Sequence, residues 1–184
     1  MLPKIRQFLN FINSHSISFN DDLVIYDQVG YFCSTRVWFM FNYFGFKKIR
    51  ILDGGFRNWK NQKFIVTKII PKIKNQKIKL DLIKPKFNNN IDMYELKTLI
   101  TKNEKKITII DARSEERFKG LISEPRRGIK RGNIDKSINI PFNSIMNKNG
   151  CLKNVEKLRE IIFKRKKLDK NNTIICYCGS GITA

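Results

Sequence analysis

Short aliphatic runs alternate with amphipathic stretches along most of the chain. Apolar runs that end at a polar residue are typical of buried strands, whereas apolar residues three or four positions apart indicate helices. The pattern predicts strands over 22–27, 48–52, 106–111, 137–141 and 173–178, and helices near 8–12, 35–44, 56–62, 93–101 and 155–167. This alternation of strands and helices predicts an α/β fold with parallel sheets.

The pattern is lost between Val66 and Asn90. Lys, Asn and Pro dominate this stretch, the Ile and Leu residues are isolated, and Pro71 and Pro85 bracket it. Such a composition is typical of an extended, solvent-facing linker. We therefore expect two structural regions joined by residues 67–91.

The last predicted strand leads into a glycine-rich loop, with Cys178 at the junction and Gly179, Ser180 and Gly181 after it. Glycines allow a tight turn in which successive backbone N–H groups point inward, and such a turn binds anions. A thiol held over these amides ionises readily because they stabilise the thiolate. The residues favour a nucleophilic cysteine with an anionic substrate or adduct. The alternative is a buried, unreactive thiol.

An earlier stretch echoes this arrangement. The sequence LVIYD ends at Asp27, and IICYC ends at Cys178. Each reads as a buried strand that ends in a potentially charged residue before a loop. The echo predicts a repeated unit in which only the second copy is reactive.

The charge of the chain is extreme, because its 184 residues include 37 Lys and Arg but 16 Asp and Glu, for a net charge of +21. A basic surface for nucleic acid is one explanation. Compositional drift toward Lys, Asn and Ile is the other. The lysines are scattered, and no RNA-binding or helix-turn-helix signature accompanies them. We therefore favour drift and expect no specific nucleic-acid partner, although binding to polyanions at low salt follows in either case.

Four cysteines, at positions 33, 151, 176 and 178, occur without a secretory signal. This usage indicates a reducing compartment, and we expect a cytoplasmic protein. Residues two apart on a strand point to opposite faces, so Cys176 and Cys178 do not favour a shared metal, and the single histidine, His15, is remote in sequence. No apolar run approaches the ~20 residues that span a bilayer. We expect no metal, no cofactor and no membrane association.

Several motifs occur together in one order. They are D-A-R-S-x-x-R-F-x-G from Asp111, E-P-R-x-G-I from Glu124, N-I-P-F from Asn139 and C-G-S-G-I-T-A from Cys178. In this order they resemble the second domain of two-domain rhodaneses, the 3-mercaptopyruvate and thiosulfate sulfurtransferases. The earlier motifs Y-D, S-x-R-x-W and L-D-G-G-x-x-x-W are similar to the end of the inactive first domain of the same family. One motif departs: the family pattern G-H-I-P-G-A reads GNIDKS over 132–137, without the histidine.

The resemblance implies a rhodanese-like α/β fold of parallel sheets flanked by helices, in two incomplete tandem domains. Residues 1–66 would be the C-terminal part of an inactive first rhodanese domain, and 67–91 the linker. Residues 92–184 would be the N-terminal part of the catalytic domain, ending at the active-site loop. By this resemblance we expect the chain to be truncated at both ends, and a complementary chain is one possible source of the missing segments.

The resemblance also implies an activity, the transfer of sulfane sulfur through a persulfide on Cys178. The donor would be a small anion, 3-mercaptopyruvate or thiosulfate, and the acceptor a thiol or cyanide. Arg117 and Arg126 would clamp the carboxylate and keto group of the donor, and Ser180 would bind the sulfur or the substrate. The remaining substrate-binding residues would form the amide cradle, at Gly179, Gly181, Ile182 and Thr183. The Gly-Ser pair after the cysteine is like that of 3-mercaptopyruvate sulfurtransferases.

Asp111 and Arg113 are expected to serve the structure, with Arg113 in an internal ion pair. Two other functions compete with sulfur transfer. A cysteine phosphatase needs an arginine at the sixth position after its cysteine, where this chain has Ala184. The second alternative is a truncated non-catalytic remnant, or a basic binding module without sulfurtransferase activity.

Overall fold

A computed structural model of the chain describes residues 2–71, 77–86, 90–165 and 168–184. The chain forms two units, residues 1–89 and residues 90–184, and each has its own hydrophobic core. In each unit, parallel strands alternate with helices, which confirms the predicted α/β class.

Among its described residues, the first unit contains a two-stranded sheet and three α-helices. Strands β1 and β2 are parallel, and Leu23 lies opposite Ile49. The elements in chain order are α1 (Ile5–Ser14), β1 (Leu23–Ile25), α2 (Ser34–Tyr43), β2 (Ile49–Ile51), α3 (Gly55–Asn61) and a 3₁₀ turn (Leu80–Leu82).

Aromatic side chains form the centre of this unit. Phe8 and Ile12, one turn apart on α1, are both buried. The Phe8 ring stacks on that of Phe44 with 4.1 Å between centroids, and Phe41 and Phe46 meet it edge-on. Stacked and edge-to-face pairs are the geometries that aromatic quadrupoles favour, so this core has specific packing as well as apolar area.

The prediction of a solvent-facing linker is wrong at two positions of the range 77–86, whereas most of the other residues there are exposed. Ile78 and Ile83 are buried in the core of the first unit. The side-chain amide of Asn13 makes two hydrogen bonds to the backbone of Ile78. It accepts the Ile78 N–H at 2.7 Å and donates to the Ile78 carbonyl at 3.1 Å. Two isolated isoleucines therefore anchor a stretch that is polar by composition. Residues 72–76 and 87–89 of the predicted linker lie outside the described residues.

The described part of the second unit contains a three-stranded sheet. Its elements are α4 (Met93–Thr101), β3 (Ile107–Asp111), α5 (Glu115–Phe118), β4 (Ser137–Asn139), a 3₁₀ turn (Phe142–Ile145), α6 (Val155–Arg159), a π-helical turn (Glu160–Arg165) and β5 (Thr173–Tyr177). Polar side chains cap the N-termini of α4 and α6. Asp92 accepts the N–H of Glu95 at 2.8 Å, and Asn154 accepts that of Lys157 at 2.9 Å.

Strand β3 lies in the middle of this sheet and pairs in parallel with β4 and β5. Ile110, Ile140, Ile161 and Leu168 form the core beside it. At the carboxyl ends of the strands, Asp111 is in register with Asn139 on one side and with Tyr177 on the other. Open parallel sheets bind ligands at this edge, and Cys178 directly follows Tyr177 there.

The start of α2 is not capped by the side chain of its serine. Ser34 is the first residue of the helix, and Cys33 precedes it as the cap. The reason is that the N–H groups of both residues bind the carboxylate of Asp27, which satisfies the start of the helix in place of a serine hydroxyl. Among the residues that the structure describes, no helix combines the length and apolar character needed to cross a membrane.

Candidate active site

Cys178 lies one residue beyond the end of β5, at the start of the loop formed by residues 178–183, here called the Cys178 loop. The N–H of Gly181 donates to Sγ of Cys178 at 3.1 Å. Gly181 has φ of 70°, in the left-handed region that glycine adopts without strain. This turn directs the backbone back onto the sulfur, as the glycine pattern predicts.

The pKa of the Cys178 thiol is lowered. Partial burial acts to raise it, but hydrogen bonds from the Thr183 hydroxyl and from the N–H groups of Thr183, Ser180 and Ile182 outweigh that effect. Each of these donors favours the thiolate over the neutral thiol. The Cys178 loop therefore stabilises negative charge at the sulfur.

Arg117, on α5, reaches the Cys178 loop. A Cβ built on Gly179 would collide with Nη2 of Arg117, so the guanidinium occupies the space that a side chain at position 179 would need. Nε and Nη2 of Arg117 donate to Glu124 at 3.2 and 2.5 Å. The structure thus brings one of the predicted substrate-binding residues against Gly179, the residue after the cysteine.

Through Glu124, Arg117 is connected to a buried ion network that consists of Asp111, Arg113 and Glu124. Arg113 donates through Nε and Nη2 to the Asp111 carboxylate at 2.5–3.0 Å, and through Nη1 to Glu124 at 2.8 Å. The hydrogen bond to Asp111 is the main reason that the pKa of Arg113 is raised, and the charges of Asp111 and Glu124 add to it. The internal ion pair expected for Arg113 is confirmed.

Tyr177 connects the final strand to the preceding loop. Its hydroxyl accepts the N–H of Ile134 at 3.1 Å and lies 3.1 Å from the hydroxyl of Ser137. The Arg113 guanidinium lies 5.6 Å from the ring centroid. Sequence reasoning missed both Tyr177 and Glu124. For Glu124 a signal was present, because an acidic residue of the E-P-R motif follows two arginines of the preceding motif.

Arg126 and the hydroxyl of Ser180 have no contacts that support their predicted roles. The Arg126 side chain is exposed, and within the described ranges no hydrogen bond or ion pair engages it. Ser180 contributes its backbone N–H at Cys178, whereas its hydroxyl has no hydrogen bond to the described part of the chain. The donor clamp at Arg126 and the hydroxyl contact of Ser180 therefore stay predictions.

The first unit carries a matching arrangement around Asp27. One carboxylate oxygen accepts the N–H groups of Val29 and Gly30, and the other accepts those of Phe32, Cys33 and Ser34, at 2.5–3.0 Å. Burial acts to raise the pKa of Asp27, but these backbone hydrogen bonds lower it overall. Here the chain's own carboxylate fills the ring of amides, at the position where the second unit has a thiol.

No group of three or more His, Cys, Asp or Glu side chains that could hold a metal ion occurs among the described residues. The Cys176 side chain is exposed on β5, and that of Cys178 lies in the loop. The chemistry that this site supports is nucleophilic attack by a stabilised thiolate beside a guanidinium group.

Comparison with known sequences agrees with this geometry. The chain is 34% identical over 190 residues to 3-mercaptopyruvate sulfurtransferase of Mus musculus, and 34% identical over 191 residues to thiosulfate sulfurtransferase of the same species. Each alignment covers 100% of this chain and 61% of the relative. The chain therefore spans about three fifths of the length of these relatives.

Solved structures of similar fold include the same class of protein. The Tum1 protein of Saccharomyces cerevisiae superposes with a TM-score of 0.84 at 25% identity, over 100% of this chain and 64% of the other. SseA of Escherichia coli, described with the rhodanese fold of 3-mercaptopyruvate sulfotransferases, superposes with a TM-score of 0.82 at 26% identity, over 100% and 66%. The sequence profile of the rhodanese-like domain matches residues 3–62 and 92–184. From its fold, its cysteine loop and these matches, the chain belongs to the rhodanese-like domain family.

Proposed function

We propose that this chain is a sulfurtransferase that carries sulfane sulfur on Cys178. The observation that carries the proposal is the thiol of Cys178 under the amides of its own loop, with a lowered pKa. The names of the relatives support 3-mercaptopyruvate and thiosulfate as donors. Gly179 and Ser180 after the cysteine favour 3-mercaptopyruvate, because this pair resembles that of 3-mercaptopyruvate sulfurtransferases.

In the first half-reaction, the Cys178 thiolate attacks the sulfur of 3-mercaptopyruvate. A new S–S bond forms, the C–S bond of the donor breaks, and its electron pair leaves on carbon as the enolate of pyruvate. A proton from solvent converts the enolate to pyruvate. With thiosulfate, the same attack on the outer sulfur releases sulfite with the electron pair of the broken S–S bond. Both routes leave a persulfide on Cys178.

The residues around the sulfur suit this intermediate. The amides of the Cys178 loop favour the thiolate before attack and the terminal persulfide anion after it. Arg117 lies against Gly179, and its planar guanidinium matches a carboxylate or sulfonate oxygen pair. A donor anion bound there would have its sulfur near Cys178.

In the second half-reaction, the thiolate of an acceptor attacks the outer sulfur of the persulfide. The S–S bond to Cys178 breaks, the electron pair returns to Sγ, and the acceptor leaves as its own persulfide. Cyanide attacks in the same way and leaves as thiocyanate. We propose a cytoplasmic location as part of the same account, since this cycle needs a thiol that stays reduced.

Pyruvate release from 3-mercaptopyruvate, in the presence of a thiol acceptor, tests the proposal. Replacing Cys178 by Ser should abolish release, because a hydroxyl at this position cannot act as a sulfur carrier. Cys176→Ser is the matched control, since that thiol lies two residues earlier on the exposed surface of β5, and it should retain the wild-type rate. Equal release by wild type and the Cys178 variant would refute the proposal.

A further inference from the structure

Glu124 lies at the junction between the buried ion network and the Cys178 loop. Its side chain is only 3% exposed, and it binds Arg113 with one carboxylate oxygen and Arg117 with both. We infer that Glu124 is a positioning residue, which fixes the guanidinium of Arg117 against the Cys178 loop so that its free edge meets the anionic donor. The inference rests on the proposed function for the identity of that donor.

One side of Glu124 is anchored. Arg113 is 8% exposed, and its other hydrogen bonds go to Asp111, which is fully buried, and to the carbonyl of Gly132. Asp111 lies at the end of the central strand β3. Arg113 therefore has a fixed place relative to the sheet, and its hydrogen bond to Oε1 fixes Glu124 in turn.

The other side of Glu124 is oriented toward the site. Arg117 gives Nε and Nη2 to Glu124, and within the described residues its Nη1 makes no hydrogen bond. Because a guanidinium group is planar, two contacts determine the plane and direction of all its N–H bonds. The Arg117 side chain is 22% exposed, so the group that Glu124 orients remains accessible to a ligand.

Glu124 is ionised in this role. The hydrogen bond from Arg117 is the largest cause of the lowered pKa of Glu124, and the charges of Arg117 and Arg113 lower it further. A carboxylate in this place could also act only by balancing the charge of two arginines. Position and charge are separated by two variants, because Glu124→Asp keeps the charge on a shorter side chain, whereas Glu124→Gln keeps the length and removes the charge.

Alkylation of Cys178 by iodoacetate and by iodoacetamide measures the orientation of Arg117 without requiring turnover. The two reagents differ mainly in the carboxylate of iodoacetate, which a correctly directed guanidinium attracts. The measured quantity is the ratio of the two rates at Cys178, from peptide mass spectrometry. Alkylation of Cys151, followed in the same samples, reports whether each variant keeps its fold. A variant with altered folding changes the alkylation rates at Cys151 as well as at Cys178. Loss of the Arg117 orientation changes only the ratio of the iodoacetate rate to the iodoacetamide rate at Cys178.

We expect the ratio of iodoacetate to iodoacetamide rates to fall about fivefold in Glu124→Asp, equivalent to roughly 1 kcal/mol. The ratio should fall in Glu124→Gln as well. The matched control is Glu115→Gln on α5, where the acidic side chain is 62% exposed and pairs with Lys119, and its ratio should equal that of wild type.

An unchanged ratio in both Glu124 variants would overturn the inference. A raised ratio in Glu124→Gln with an unchanged ratio in Glu124→Asp would also overturn it, since that pattern means charge balance alone. Alkylation of Cys178 needs no sulfur donor, so these outcomes are independent of sulfur transfer. The proposed function is tested separately, by whether Cys178 takes sulfur from a donor. The two failures are therefore distinguishable.

Discussion

Cys178 titrates under opposing influences, and the balance between them determines its reactivity. Partial burial disfavours the thiolate, whereas the Thr183 hydroxyl and the amides of its loop favour it. The thiolate is the nucleophile, so each of these hydrogen bonds affects the rate at neutral pH. The Thr183 hydroxyl is the one donor of this set that can be removed by substitution.

Thr183→Val should raise the pKa of Cys178, because it removes a hydrogen bond to the thiolate and keeps the shape of the side chain. A hydrogen bond to a charged group contributes about 1.5 kcal/mol, so alkylation by iodoacetamide at neutral pH should slow by about threefold to tenfold. The pH profile of alkylation measures the shift. Thr183→Ser keeps the hydroxyl and should behave as wild type. A profile for Thr183→Val that matches wild type would contradict this assignment.

The backbone of Lys136, in the second unit, is strained, because its φ of 61° lies in the left-handed region. The family pattern G-H-I-P-G-A has glycine at this position. A left-handed conformation costs a residue with a Cβ about 1 kcal/mol, so Lys136→Gly should stabilise the second unit by about that amount. Differential scanning calorimetry measures the change.

The Lys136 side chain also donates to Asn103 at 2.8 Å and to the carbonyl of Ile100 at 3.3 Å, and these exposed hydrogen bonds are lost in the variant. Lys136→Ala loses the same hydrogen bonds but keeps the Cβ, so it separates strain from contact. Equal stability of the Gly and Ala variants would show that strain at this residue is negligible.

At the scale of elements, the loop between β1 and α2 is organised by the carboxylate of Asp27. Five backbone N–H groups converge on it, two of them at the start of α2. The loop after β5 is organised in the same way around the thiol of Cys178. The two units therefore share an amide ring at the carboxyl end of a strand, and the residue within it decides whether the ring holds a reactive group.

Asp27→Asn should destabilise the first unit by about 1–2 kcal/mol, because a neutral amide oxygen is a weaker acceptor and its NH₂ group faces the N–H donors. Urea unfolding followed by tryptophan fluorescence measures this, since the two tryptophans, Trp38 and Trp59, both lie in that unit. Asp22→Asn is the matched control, because Asp22 is 66% exposed and pairs only loosely with Arg50. A loss no larger than that of the control would contradict the assigned role.

The same carboxylate makes the stability of the first unit depend on pH. The pKa of Asp27 is lowered from 3.8 in the folded state. Its contribution is therefore complete above pH 3.8 and is lost as the pH falls through the lower, folded-state pKa. The Asp27→Asn variant should show a smaller loss of stability than wild type over this acidic range.

Local patterns in the sequence were sufficient to predict the strands and most of the helices, but not α5, which carries Arg117, nor the π-helical turn within the helix predicted over 155–167. The strand that ends at Asp111, the strand that ends just before Cys178, and the caps at Asp92 and Asn154 depend on residues close together in the chain. The burial of Ile78 could not be predicted in this way, because it depends on Asn13, which is 65 residues away. The contact of Glu124 with Arg117 likewise depends on how the loop after α5 folds back. At the site, the cysteine, its glycines and an ion pair of Arg113 were predictable, whereas the contact of Glu124 with Arg117 was not.

At the scale of the whole molecule, the net charge of +21 is the feature that the proposed reaction explains least. Clustered positive charge attracts anionic donors, but polyanions are attracted as well. If the excess of lysine is compositional drift, binding to nucleic acid should be electrostatic only.

DNA should therefore bind the chain at about 0.02 M salt and be released at about 0.15 M, where exposed charges are screened. A gel-shift titration with duplexes of unrelated sequence measures this, and all duplexes should give the same midpoint. Binding that persists at the higher salt would instead support the basic binding module among the alternatives.

The transfer of one sulfur atom to Cys178 is the most direct test of the account. The chain is incubated with 3-mercaptopyruvate, desalted and examined by intact and peptide mass spectrometry. We expect the added mass of one sulfur atom on the peptide that contains Cys178, its removal by dithiothreitol, and its absence from Cys178→Ser. Unmodified Cys178 after incubation with 3-mercaptopyruvate and with thiosulfate would contradict the central claim.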